Sequence, residues 1–154
     1  MENIRLATAE DIRSLDKLLY EVQEVHHQAR PDLFVGGTKK YTDGELEEIL
    51  KDKNKPIFVF DDGKIEGYCF CIIKEEHSHT LTPIKTLYID DFCVDEDSRG
   101  RHVGSKLYSF AREYAKSIGC YNLTLNVWAD NRKALGFYQK IGLKPQKIGM
   151  EEIL

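Results

Sequence analysis

A chain of 154 residues with 42% apolar and 31% charged side chains has the composition of a folded globular protein, and its formal charge of −4 argues against broad nucleic-acid binding, which needs a clustered excess of Lys and Arg. No apolar run approaches the ~20 residues of a membrane span, and the start, MENIRLATAEDIRSL, has neither a basic leader before a long apolar run nor an Arg/Ser-rich import character. The expectation is one domain over residues 1–154, cytoplasmic, with neither membrane nor nucleic acid as partner.

NIRLA predicts a short strand, after which Thr8 introduces a helix whose apolar residues Ile12, Leu15, Leu18, Leu19, Val22 and Val25 follow a 3.6 period. Pro31 and Gly36-Gly37 break that pattern within residues 26–42, which read as an arm, and a short polar helix over Asp43 to Lys51 comes next. PIFVFDDGKIEGYCFCIIKEE predicts two strands around Asp62-Gly63, the signal of a tight antiparallel hairpin. After the polar loop HSHTLTP, IKTLYIDDFCV predicts a third long strand.

A helix carrying Val103, Leu107, Phe110, Ala111, Tyr114 and Ile118 on one face ends at Gly119, and YNLTLNVW follows as a strand. Strand, helix and strand then form a right-handed βαβ crossover with its strands parallel. A last helix from about Asn131 to Ile141 ends at Gly142, and KPQKIGMEEIL predicts a closing strand. The fold class is therefore mixed α/β: a twisted, mostly antiparallel sheet with a central parallel βαβ pair and helices on both faces.

Cys69, Cys71, Cys93 and Cys120 lack the CxxC spacing of a zinc or redox site and read as buried thiols. His26-His27 is not a metal site, because adjacent helical residues point about 100° apart and no third ligand is placed. The chemistry concentrates in VDEDSRGRHVGSKLY, where acids give way to a glycine-punctuated turn at the start of a helix. A helix start carries unpaired N–H groups and the positive end of the dipole, Gly100 and Gly104 let backbone approach a ligand, and Arg99 and Arg101 add forked donors: together, a pyrophosphate cradle. The turn is neither a P-loop, since no Gly-Lys-Ser/Thr ends it, nor the three-glycine dinucleotide fingerprint.

The stretch from Asp90 to Pro145 resembles the coenzyme A-binding core of the GCN5-related N-acetyltransferases. Arg99 to Gly104 matches that family's Arg/Gln-x-x-Gly-x-Gly/Ala turn, and Asn131, Ala134, Phe137, Tyr138 and Gly142 match its later motif; His102 departs from it, standing where the family has a glycine. The resemblance implies direct transfer of an acetyl group from acetyl-CoA to an amine without a covalent enzyme intermediate; no metal is expected from the residues. It places the cofactor on Phe92, Cys93 and Val94 at the strand end, on Arg99, Gly100, Arg101, His102, Val103, Gly104 and Ser105 in the turn, and on Asn131, Ala134, Phe137, Tyr138 and Lys140 in the last helix.

A lysine-like amine of pKa about 10.4 is almost wholly protonated at pH 7, which adds nearly 5 kcal/mol to the barrier if the free base attacks. Asp90 and Asp91 lie where some members carry a general-base glutamate; strand alternation sends them to opposite faces, and Asp90 is the one favoured here. Tyr138 matches the tyrosine that serves the leaving sulfur in many members. The acceptor would be lined by His26, Asp32, Phe34 and Tyr41 of the arm, and both a small molecule and a peptide amine fit. Two alternatives stay open at this point: a CoA-binding module without turnover, favoured by His102 and opposed by Tyr138, and a homodimer joined through the last strand.

Overall fold

The computed structural model describes residues 3–98 and 100–154. Five strands, β1 (Ile4–Leu6), β2 (Ile57–Asp61), β3 (Ile65–Glu75), β4 (Lys85–Val94) and β5 (Asn122–Leu125), form one sheet in sequence order. All neighbours are antiparallel except β4 and β5, which run parallel around the crossover helix. The helices are α1 (Ile12–Ala29), α2 (Asp43–Lys51), α3 (Val103–Ser117) and α4 (Arg132–Lys140).

Each face of the sheet has its own core. Phe58, Phe60, Cys69, Cys71, Leu87 and Ile89 meet Val103, Leu107 and Ala111 of α3, while Val59, Tyr68 and Phe70 meet Leu15, Leu18 and Leu19 of α1 and Leu46 of α2. The period-2 pattern of strands and the 3.6 pattern of helices thus fit together as expected. Thr42 caps α2 reciprocally with Glu45, the arrangement that sets its start after the arm. Of the four thiols, Cys69 and Cys71 are buried, whereas Cys93 and Cys120 are only partly so.

Gly67 leaves room for α3 to pack on the sheet. A Cβ there would stand 2.9 Å from Leu107 Cδ1 and 3.0 Å from the Cys93 carbonyl oxygen. At the other end of the chain the expectation fails. Residues 144–154 form no strand and, among the described residues, accept or donate no main-chain hydrogen bond. Apolar content alone does not make a strand when no neighbouring edge is within pairing reach. As a result β5 ends the sheet, and the parallel pair lies at its edge.

Candidate active site

The site begins with a bulge. Asp91 pairs with Phe70 and Ile89 with Cys71, leaving Asp90 as an extra residue in β4. This resets the alternation: Leu87 and Ile89 face the α3 core, and beyond the bulge so do Phe92 and Val94. Asp90 and Asp91 consequently both turn toward the face of α1 and the arm, and the expectation of opposite faces is corrected.

The bulge also parts two strands. β5 pairs with Thr86 to Ile89 and no further, so beyond the bulge Asp91 to Val94 of β4 pair with β3 on one side and have no strand on the other. The Asp95 N–H donates to the Glu66 carbonyl, so by the alternation of the antiparallel ladder Cys93 turns its main chain toward Tyr68 of β3, and Phe92 and Val94 turn theirs outward, which suits an extended amide-containing ligand. Cys93 is partly buried, its sulfur 3.8 Å from the Leu18 carbonyl oxygen.

The turn into α3 follows directly. Gly100 (φ +85°) and His102 (φ +61°) both take the left-handed conformation, and His102, at the N-cap, gives the helix no side-chain hydrogen bond. The first helical main-chain bond runs from Lys106 to the His102 carbonyl. That leaves the amides of Val103, Gly104 and Ser105 uncapped at the positive end of a 15-residue helix. The imidazole of His102 is exposed. Arg99 lies outside the described residues.

Arg101 does not spend its guanidinium on this turn. It donates to the buried Glu66 at 2.5 Å and to Asp62 at 2.7 Å, fastening the turn to the β2–β3 hairpin and leaving only its main chain for a ligand. Gly104 has a packing role as well, since a Cβ there would be 3.3 Å from the Phe137 ring and 3.5 Å from Val94 Cγ2.

α4 completes the site. Asn131 caps it, its Oδ1 accepting from the Ala134 N–H at 3.2 Å. Phe137 and Tyr138 pack on each other at 5.3 Å between ring centroids and on Phe92 at 6.1 and 6.2 Å, so strand end, turn and α4 converge. Burial, with the charges of Cys69, Asp91 and Cys93 behind it, pushes the Tyr138 phenol well above its usual pKa. It holds its proton at neutral pH. Lys140 is exposed and points to no partner among the described residues.

The two aspartates have different surroundings. Asp90 accepts from the Tyr41 hydroxyl and lies 3.2 Å from Lys40 Nζ, so its charge is engaged in holding the arm. Asp91 is largely enclosed but keeps some accessible surface, and burial pushes its carboxyl up to about 6 against the pull of Lys40. The buried Tyr68 hydroxyl lies near enough to favour the anion, though it forms no hydrogen bond of good geometry.

Of the expected acceptor residues, His26 stacks on Phe34 at 4.8 Å, and Phe34 meets Trp128 edge-on at 5.4 Å. Burial lowers the His26 pKa and keeps that ring neutral. Tyr41 stacks on Phe70 beside Asp90. Asp32 is exposed and pairs with Arg30 at 2.8 Å, and the same guanidinium holds Glu151 at 2.5 Å. The sequence reading missed Lys40, Trp128 and Gly67. Only Gly67 carried a signal, as an isolated glycine inside a strand pattern.

The sequence pattern of the Acetyltransferase (GNAT) family matches residues 19–143. Glucosamine 6-phosphate N-acetyltransferase of Arabidopsis thaliana is 28% identical over 101 residues, covering 56% of this chain and 66% of that protein. Peptidyl-lysine N-acetyltransferase YjaB of Salmonella typhimurium is 31% identical over 102 residues, covering 65% and 59%. The matches thus span less than two thirds of these relatives. A mutant form of the BH1408 protein of Bacillus halodurans superposes with a TM-score of 0.93 at 29% identity, covering 98% of each chain.

Proposed function

Since the chain belongs to the GNAT family of acetyltransferases, we propose that it moves an acetyl group from acetyl-CoA to a primary amine by direct attack, with both substrates bound at once. The observation that carries this reading is the strandless edge of β4 from Asp91 to Val94, running straight into the uncapped start of α3. Amide-containing pantetheine suits the first and a diphosphate suits the second. The bound thioester supplies the acetyl group.

The protein's own groups then have three tasks. Main-chain groups of Phe92 and Val94 hold and orient the ligand, and the amides of Val103, Gly104 and Ser105, with those of Gly100 to His102, meet its phosphates. Asp91, at about 6, is charged at neutral pH yet basic enough to accept a proton from the amine, while Asp90 is committed to Tyr41 and Lys40. Tyr138 keeps its proton at the hydroxyl, where it can be donated to a departing sulfur. The acceptor is placed along His26, Phe34, Trp128 and Tyr41, walls that suit an amine on a small molecule or on a peptide.

The alternative of a module without turnover drew on His102. That support weakens, because His102 already adopts the conformation for which the family uses glycine. Calorimetry with acetyl-CoA, followed by mass spectrometry over a panel of amines, tests the reading. The expected result is saturable binding and acetylated product, with Tyr138→Phe lowering kcat by at least about 10-fold at little change in KM for acetyl-CoA. No binding at millimolar acetyl-CoA overturns it.

A further inference from the structure

The arm presents ordered apolar surface to solvent. Leu33 (49%) and Val35 (70%) are exposed on either side of the half-buried Phe34, whose ring lies between His26, stacked at 4.8 Å, and Trp128, itself 46% exposed. Hydrogen bonds to the main chain fix this lip. The Leu33 and Phe34 N–H groups both donate to the Arg30 carbonyl at 3.0 Å, the His27 ring donates to the Phe34 carbonyl at 2.7 Å, and Gln23 donates to the Val35 carbonyl at 2.9 Å. Single exposed apolar residues are ordinary on a protein surface, whereas a fixed run of three beside a tryptophan marks a binding surface.

The rings stand beside the reacting groups. Trp128 lines the same cavity as Tyr138, and Lys40, on the Asp90 carbonyl at 3.1 Å and its carboxylate at 3.2 Å, is near enough to His26 to act on its ring. Burial first and Lys40 second hold that imidazole neutral, so all three rings offer uncharged faces. Charge sorts the rest. Asp90 and Asp91 against the single ammonium of Lys40 leave one negative charge, the complement of one protonated amine. The arm's three cations already lie against acids: Arg30 on Asp32 and Glu151, Lys39 on Asp16 and Asp43, and Lys40 on Asp90. A phosphate on the acceptor would have to compete with those carboxylates for them.

We propose that the acceptor is an amine carried next to an aromatic or branched apolar group, the amine reaching Asp91 and the apolar group lying against Phe34 and Trp128. This rests on the acetyl-transfer reading and narrows it. Water released from the rings and the lip favours such an acceptor, and an amine surrounded by hydroxyls or phosphate gains nothing there. The same chemistry occurs in a free arylalkylamine and in a peptide whose free amine adjoins an apolar side chain.

Trp128 is the chain's single tryptophan, so its fluorescence reports occupancy without turnover. Phenethylamine added to the full chain with CoA is expected to change that fluorescence saturably, and ethanolamine at the same concentrations to leave it unchanged. With acetyl-CoA, phenethylamine or a peptide beginning with phenylalanine should exceed ethanolamine and glucosamine 6-phosphate at least about 10-fold in kcat/KM, and the better of the first two tells a free amine from a peptide. Phe34→Ala should remove the preference at unchanged KM for acetyl-CoA, with Phe34→Leu restoring part of it. Trp128→Ala, which deletes an exposed ring and leaves the fold intact by circular dichroism, should act like Phe34→Ala. Equal or better transfer to glucosamine 6-phosphate overturns the inference and leaves the transferase standing. A saturable fluorescence change with no product from any amine supports the apolar amine site and removes the transferase reading; a flat titration with no preference among products overturns the site.

Discussion

The bulge in β4 gives Asp91 two tasks that pull against each other. Burial raises its folded pKa to about 6, so between about pH 4 and pH 6 the folded chain binds more protons than the unfolded one, and this residue's contribution to stability falls as pH rises through that window. The same shift brings it into the useful range for a general base. For the proposed reaction, kcat/KM is expected to rise with pH through about 6, on a limb that Asp91→Asn removes while lowering kcat by about 10²-fold or more. Thermal denaturation supplies the complementary reading: Asp91→Asn should match wild type near pH 4 and exceed it at pH 8 by up to about 3 kcal/mol. Asp90→Asn should keep the limb, because that carboxylate serves Tyr41 and Lys40. If the limb disappears with Asp90 and survives loss of Asp91, the assignment is reversed.

Among the elements, those that could be read from sequence are the ones whose partners lie nearby or whose period is long. The capped start of α2, the hairpin at Asp62-Gly63 and the stops at Gly119 and Gly142 (φ +81° and +110°) all follow from local residue chemistry. The motif residues from Phe92 to Tyr138 were picked out by the resemblance to the family, whose turn and helix motifs are short stretches that can be matched without knowing any contact across the sheet. What could not be read depends on contacts across the sheet. The bulge that turns Asp90 and Asp91 to one face is a register shift against Phe70 and Cys71, and the pairing of Arg101 with Glu66 joins residues 35 apart in sequence. The tail looked like a strand because its apolar residues qualified it, but pairing needs an edge within reach. Two substitutions examine how the site's elements are held. His102→Gly should raise stability by about 1 kcal/mol through relief of the left-handed φ and change acetyl-CoA affinity less than about threefold, since the main-chain donors already point as glycine would place them. Gly67→Ala should cost about 1–3 kcal/mol and weaken acetyl-CoA binding together, because the new methyl presses on Leu107 and on the Cys93 carbonyl in the ligand-facing strand; a melting-temperature change with unaltered affinity would disconnect α3 seating from the site.

Across the whole molecule, the β1 side of the sheet is closed by charge and the β5 side is left open. Arg5 ties β1 to the turn before α1 and to β2, its guanidinium donating to Asp11 at 2.8 and 2.9 Å and to Asp61 at 2.9 and 3.1 Å. Asp11 also accepts from the Thr8 N–H, and Arg5 first, then that bond, holds its carboxyl below the usual carboxylate range although burial opposes them. Asp95 is held down in the same direction, chiefly by the Asp97 N–H and then by Lys17 at 3.0 Å. For both groups the folded pKa lies below the unfolded value of about 3.9, so their stabilisation is complete above that value and disappears as pH falls through the folded pKa. Asp91 acts in the opposite sense between about 4 and 6, while His26, lowered by burial, adds stability as pH rises toward 6.5. Asp32, lowered by Arg30, and Asp43, lowered by Lys39, act in the same sense as Asp11 and Asp95 on the acid side of the profile, and the difference between wild type and Arg5→Gln should isolate the part that belongs to Asp11. Arg5→Gln is expected to lower the melting temperature at pH 7 and to lose less on acidification from pH 5 to pH 2.5, the two curves converging at the acid end. Parallel curves over that range would mean that Arg5 contributes packing to this side of the sheet and that its charge does not govern the titration of Asp11.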